Sequence, residues 1–164
     1  MVERLSAKYV LNVVEMPARF SEVTEAAKLV ASYEGARTHA ERWRQHAERI
    51  GRKLADLVES GLEIPDYRYQ GALAILEEVK RDMTKLFRQY PFLVTPAAPG
   101  AAPKGLEFTG DPIMNIPWTA LGTPAISIPM PVSNGLPLGL QLTADRGADS
   151  ALLALALDIE TSLQ

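Results

Sequence analysis

The sequence contains no cysteine, which excludes disulfides, thiolate metal ligands and cysteine nucleophiles alike. A chain without thiols suits a reducing cytoplasm, and that is the location expected for it. Histidine is scarce, with His39 and His46 the only two. They fall on a stretch that reads as one helix, two turns or about 10 Å apart along its axis. One metal ion cannot bridge that distance without a third element, so both are read as solvated helix residues and no metal site is expected. No apolar run approaches the roughly 20 residues that a membrane helix needs. Residues 1–15 alternate charge with apolarity, where a signal peptide would have a long apolar stretch. A surplus of one charge is lacking as well: the net charge of -3 gives no overall attraction to nucleic acid or to an anionic membrane. Arg37, Arg42, Arg44, Arg49, Arg52 and Lys53 are interleaved with Glu34, Glu41 and Glu48. Mixed signs of this kind mark a solvated helix face rather than a nucleic-acid groove.

The common catalytic arrangements are also missing. There is no G-x-S-x-G elbow. No serine is followed three residues later by lysine, and there is not one Gly-Gly dipeptide from which a phosphate loop could be built. No residue is therefore assigned a catalytic role.

What is present reads as a globular chain, 47% hydrophobic and 23% charged. Val2–Lys8 reads as the end of a helix, and Tyr9–Met16 (YVLNVVEM) as a strand stopped by Pro17, because it is rich in β-branched and apolar residues. A domain that opens in this way is expected to lack chain upstream. Ser21 is placed as the N-cap of a long helix. That helix has Val23, Ala26, Val30, Tyr33, Ala40, Trp43, Ala47 and Ile50 at three-and-four spacing along one buried face. Lys53–Ser60 forms a second helix that Gly61 ends. A third helix, capped by Asp66, carries the stripe Ala72, Ile75, Val79, Met83, Leu86 and Tyr90 and stops at Pro91.

Beyond Pro91 the texture changes to short strands and loops. Phe92–Thr95 and Ala125–Met130 are apolar strands with little polar alternation, as in strands covered on both faces. A Pro/Gly-rich loop fills residues 96–111, Ile116–Leu121 is a short helix, and Ser133-Asn134-Gly135 is a hairpin-type turn into the strand Leu138–Thr143. Asp149 caps a final apolar helix that runs to about Leu163. The fold class is α/β, a partial mixed β-sheet flanked by helices. Loops held by a rigid sheet are where binding residues lie. Asp111, Asn115 and Trp118 are the candidates for a small-molecule pocket, combining a carboxylate, an amide and an indole. Ser127, inside its strand, reads as a buried hydroxyl.

Three stretches near the C-terminus carry a resemblance: Trp118–Leu121 running into Gly122, Thr123-Pro124-Ala125-Ile126-Ser127, and Asn134-Gly135-Leu136-Pro137-Leu138-Gly139-Leu140-Gln141-Leu142. Upstream, Val13–Pro17, Tyr33-Glu34-Gly35-Ala36-Arg37 and Leu93–Pro99 follow in the same order. Together they resemble the C-terminal part of the amidase signature family, which includes carboxamide hydrolases and the A subunit of the glutamyl-tRNA amidotransferase. The resemblance implies a parent that hydrolyses a carboxamide to a carboxylate and ammonia, with no metal or organic cofactor. That family uses a serine nucleophile, a second serine on a cis peptide, a lysine base and a Gly/Ser-rich oxyanion segment, all upstream of the stretches matched here. This chain departs from the pattern in having no Ser-Ser pair and no Gly/Ser-rich run, so none of those roles passes to it and the chain alone is expected to be inactive. The resemblance also implies that the loop with Asp111, Asn115 and Trp118 contributes to the substrate pocket. In amidotransferase-like members an acidic residue adjacent to the position of Asp111 holds the substrate's amino group. The expectation is thus one segment, residues 1–164, of an amidase-type domain, whose partner is the missing N-terminal portion or a second copy. The competing reading is a non-catalytic module that binds a protein partner through its exposed sheet edge.

Overall fold

A computed structural model describes residues 2–130, 132 and 135–163 of the chain. The chain divides into two compact units, Arg19–Val79 and a second one made of Met1–Ala18 with Lys80–Gln164.

The first unit is helical. A 3-10 turn, Phe20–Glu22, leads into α2 (Val23–His46), followed by α3 (Arg52–Leu62) and the start of α4 (Asp66–Gln89). Ser21 lies inside the turn rather than at the cap, and Glu22 takes the N-cap position without a side-chain bond. Order there comes from Arg19 instead, whose guanidinium donates to Glu22 (2.7 Å) and to Glu78 (2.8 Å). Val23, Ala26, Ala36 and Ala40 form the buried stripe of α2, while Trp43 is only half-buried. Gly61 does not end α3 but sits within it. A Cβ on Gly61 would lie 2.3 Å from the Ser32 carbonyl oxygen and 2.6 Å from the Ala36 Cβ, so glycine is what lets α3 approach α2. Tyr33 and Tyr69 stack at 4.0 Å, Arg37 lies 3.2 Å above the Tyr33 ring, and the Tyr33 hydroxyl donates to Asp66 at 2.6 Å. This clasp ties α2 to α4 and uses the Tyr33–Arg37 stretch. His46 is exposed as expected, whereas His39 is half-buried with its Nδ1 shielded and unpaired.

The second unit is α/β. Its strands are β1 (Phe92–Pro96), β2 (Ala125–Met130) and β3 (Leu138–Ala144), and its further helices are α1 (Val2–Ser6), α5 (Ile116–Leu121) and α6 (Asp149–Leu163). The sheet order is β1-β3-β2, with both pairs antiparallel. An antiparallel sheet thus stands where a mixed one was expected, because β2 returns directly into β3 as a hairpin and β1 pairs with β3 rather than with β2. The turn proposed at Ser133-Asn134-Gly135 falls largely outside the described residues; Gly135 itself has φ 98°, a conformation that glycine adopts without strain. One sheet face (Ile128, Leu140, Leu142 and Ala144) packs on Leu152, Ala156, Ile159 and Leu163 of α6, with Leu5 of α1 closing the core. The strands are not covered on both faces throughout: along β2, Ala125, Ser127 and Pro129 are exposed and alternate with the inward residues. Small and apolar types on that outer face hid the alternation. Tyr9–Met16 is no strand either, and forms irregular chain between α1 and the first helical turn of the other unit.

Candidate functional site

The loop of residues 97–111 leaves β1 and returns through a 3-10 turn, Pro112–Met114, into α5. Asp111 sets the turn: its Oδ1 accepts from the Ile113 N–H at 3.0 Å, and Pro112 occupies the position where a missing N–H costs nothing. Asn115 follows, and its Nδ2 donates to the Ala97 carbonyl at 3.3 Å. From below, Gln141 of β3 donates through Nε2 to the Thr95 hydroxyl (3.1 Å) and to the Met114 carbonyl (2.8 Å). Gln141 is only 3% exposed. Two amides therefore hold this segment against the sheet, and α5 closes at Gly122, where φ is 68°.

A cleft of about 1070 Å³ opens beside this segment, with Val94, Thr95, Phe108, Asp111, Asn115 and Met130 among its walls. A smaller notch of about 320 Å³ lies next to it, lined by Asn115, Trp118, Thr119, Thr123, Ser127 and Gln141. Asp111 and Asn115 thus both line the cleft, while Trp118 borders only the notch. The indole is 5% exposed and belongs as much to the packed interior as to a surface. Ser127 is exposed rather than buried, and points across to Gly139, where an added Cβ would come within 2.4 Å of its Oγ. Sequence reasoning missed Gln141 and Ser127 as lining residues. The signal for Gln141 was its place between Leu140 and Leu142, which in a strand puts it on the opposite face from both.

These walls can hold a small, partly apolar molecule by a carboxylate and a carboxamide, and among the described residues they show no nucleophile hydrogen-bonded to a base. Elsewhere, Lys8 reaches Ser162 at 2.9 Å, the spacing of a nucleophile–base pair. The lysine also bonds Asp158 at 2.5 Å, and this contact raises the Lys8 pKa above its ordinary value. A lysine held protonated accepts no proton, so the pair is a clasp that ties the turn just after α1 to α6. Among the described residues no group of three His, Asp or Glu side chains is placed to hold a metal ion, and no helix is long and apolar enough to cross a membrane.

A family model for amidases matches residues 3–153. The chain belongs to the amidase family. Over 106 residues it is 36% identical to the A subunit of glutamyl-tRNA(Gln) amidotransferase from Moorella thermoacetica, a match covering 60% of this chain and 22% of that protein. A crystal structure of an amidase superposes with a TM-score of 0.84 at 27% identity, over 99% of this chain and 40% of that one. The fold is shared as well with 6-aminohexanoate cyclic dimer hydrolase in complex with substrate, at a TM-score of 0.75, 18% identity, and coverage of 98% of this chain and 39% of that one. The chain therefore spans about a fifth of the length of the curated relatives it matches and two fifths of the solved amidases. It is an amidase-family chain that corresponds to part of an amidase.

Proposed function

We propose that this chain supplies the substrate-positioning side of an amidase, and that the rest of the amidase fold supplies the nucleophile, the base and the oxyanion donors. The assembled enzyme hydrolyses a small carboxamide to a carboxylate and ammonia, without a metal or organic cofactor. The observation that carries this reading is that Asp111 and Asn115 both line the large cleft, within the stretch that the family match covers. Asp111 receives an amino or ammonium group of the substrate. Asn115 orients a polar group beside it, and the Trp118 indole forms the floor of the adjoining notch. The cytoplasm is the proposed location, and neither nucleic acid nor membrane is a partner. The competing reading, a binding module that works through its sheet edge, is weakened by the prolines of the edge strands. Pro129 lies in β2 and Pro96 closes β1, and a proline cannot donate to an added strand.

The test has two arms. The purified chain alone is expected to release no ammonia from a panel of aliphatic and aromatic amides. Mixed with the separately produced catalytic portion of a related amidase, it is expected to support turnover. In that mixture Asp111→Asn should raise KM about tenfold or more for amides bearing a free amino group, while leaving neutral amides nearly unchanged. Turnover by the isolated chain that disappears on replacing one of its serines would overturn the proposal. So would an Asp111→Asn variant with unaltered KM for every amide.

A further inference from the structure

The residues lining the large cleft are unbalanced in two respects. Val94, Phe108 and Leu138 are apolar and yet 40%, 60% and 38% exposed, and the half-buried Met130 lines the cleft with them. Apolar surface left in water to this extent adds little to the fold and is open to a ligand. The second imbalance is in charge. Among the described residues that line the cleft, Asp111 is the only charged one. Lys104 and Glu107 belong to the same loop, but neither is part of the lining.

Each imbalance excludes a class of ligand. A cleft with one carboxylate and no lysine, arginine or histidine repels a second carboxylate and gives it no counter-charge once water is displaced. A polar uncharged arm would exchange its hydrogen bonds to water for contact with hydrocarbon. An ammonium group with an apolar arm meets neither objection. The size of such a ligand is bounded too. Phe108 lies three positions before Asp111, so their backbones are at most about 10 Å apart. Between them Gly110 has φ 106°, a conformation that glycine adopts without strain, and the Asp111 cap fixes the far end of the bend. An aromatic ring and a carboxylate so spaced suit a molecule of amino-acid size.

We infer that the cleft selects α-amino amides with an apolar side chain. Asp111 takes the ammonium group, Phe108, Val94, Met130 and Leu138 take the side chain, and amides with an acidic side chain are turned away. The inference rests on the proposed function and adds to it the subsite for the side chain. Phe108 is the residue on which selectivity depends most, because its ring offers the largest exposed apolar surface of the four.

The full chain is titrated calorimetrically with phenylalaninamide, glycinamide, 3-phenylpropanamide and isoglutamine. The same four amides are offered to its mixture with the separately produced catalytic portion of a related amidase. Phenylalaninamide should bind about tenfold or more tightly than glycinamide, which lacks the arm, and than 3-phenylpropanamide, which lacks the charge. Isoglutamine, with its side-chain carboxylate, should bind most weakly. Phe108→Ala should weaken phenylalaninamide about tenfold and leave glycinamide unaltered, with no change in the denaturant midpoint because the ring is exposed. Leu106→Ala, at a loop residue 97% exposed and outside the lining, should change neither amide. Equal affinity for phenylalaninamide and glycinamide, tight binding of isoglutamine, or unaltered selectivity in Phe108→Ala would overturn the subsite; turnover in the mixture alongside any of these would leave the proposed function standing. The expected order of binding without turnover would support the subsite and sink the hydrolytic reading. Absence of both binding and turnover would sink both.

Discussion

Gln141 is a carboxamide set in a run of leucines, and its usefulness depends on neighbours that are far away in the sequence. Thr95 is 46 positions from it and Met114 is 27, yet both accept from its Nε2. Replacing it with leucine keeps most of the volume and strands the buried partners, which costs about 1–3 kcal/mol. Gln141→Leu should therefore lower the urea midpoint. In a Trp43→Phe background, where Trp118 is the sole indole, it should also red-shift the emission as the segment before α5 loosens. An unchanged midpoint and spectrum would show that Asn115 and the Asp111 turn hold the segment unaided. At this scale the sequence was legible where chemistry is local. Asp111 and Asn115 stand out among prolines and glycines, and Asp111 does cap its turn. The role of Gln141 is not legible in its motif, because it appears only when β3 is in register with β1 and the 3-10 turn lies over both. Ser127 was misjudged because exposure of one strand face cannot be read from small residues such as Ala125 and Pro129.

Helices were the easiest elements to read, since their backbone bonds are internal and a three-and-four stripe is enough to place them. The stretch 9–16 failed for the complementary reason, since a strand needs a partner that its own residues do not specify. The Lys8–Asp158 clasp yields a pH prediction. The bond from Lys8 holds the Asp158 carboxyl below its ordinary range, with the Tyr9 hydroxyl adding to it, and the same contact raises the Lys8 pKa. A lowered carboxylate contributes stability that is present above its ordinary pKa and is lost as pH falls through the folded value; a raised lysine contributes below its ordinary pKa and loses it as pH rises through the folded one. The clasp should therefore be unaffected near neutrality and weaken below the ordinary carboxylate range of about 4. In a series of denaturant midpoints taken from pH 7 to pH 2, Asp158→Asn should flatten part of the acid limb. An acid limb identical in wild type and variant would mean that this contact is too solvent-exposed to matter, which is the usual fate of surface pairs.

At the scale of the whole chain, the α/β class and the family were legible, while the antiparallel order of the strands was not. The order β1-β3-β2 depends on which strands meet in space, and short apolar runs such as FLV and AISI are compatible with either direction. The exposed apolar residues are numerous: Val10 and Val13 precede the helices, Leu106 and Phe108 lie on the loop, and Leu153 and Leu157 are one turn apart on α6. Where such residues adjoin, as Leu153 and Leu157 do along α6, they offer an apolar patch on which a second copy can associate. Light scattering over a concentration series of the isolated chain should show a mass that rises with concentration, and the rise should be suppressed by the catalytic portion of a related amidase. A monodisperse monomer at high concentration, unfolding in one sharp transition, would contradict this. One consequence follows from the loop between β1 and the 3-10 turn. Residues 98–109 are all exposed, and Lys104 is the only basic side chain among them. Brief trypsin treatment should nick the chain after Lys104, since exposed loop tips are the preferred sites of cleavage. The nick would fall between β1 and β3, which are hydrogen-bonded to each other from Phe92–Ala144 to Pro96–Leu140. The two pieces should remain together as a nicked but folded species, separating on a denaturing gel and co-eluting on a native column. This loop is therefore the natural place to divide the chain into two co-expressed halves.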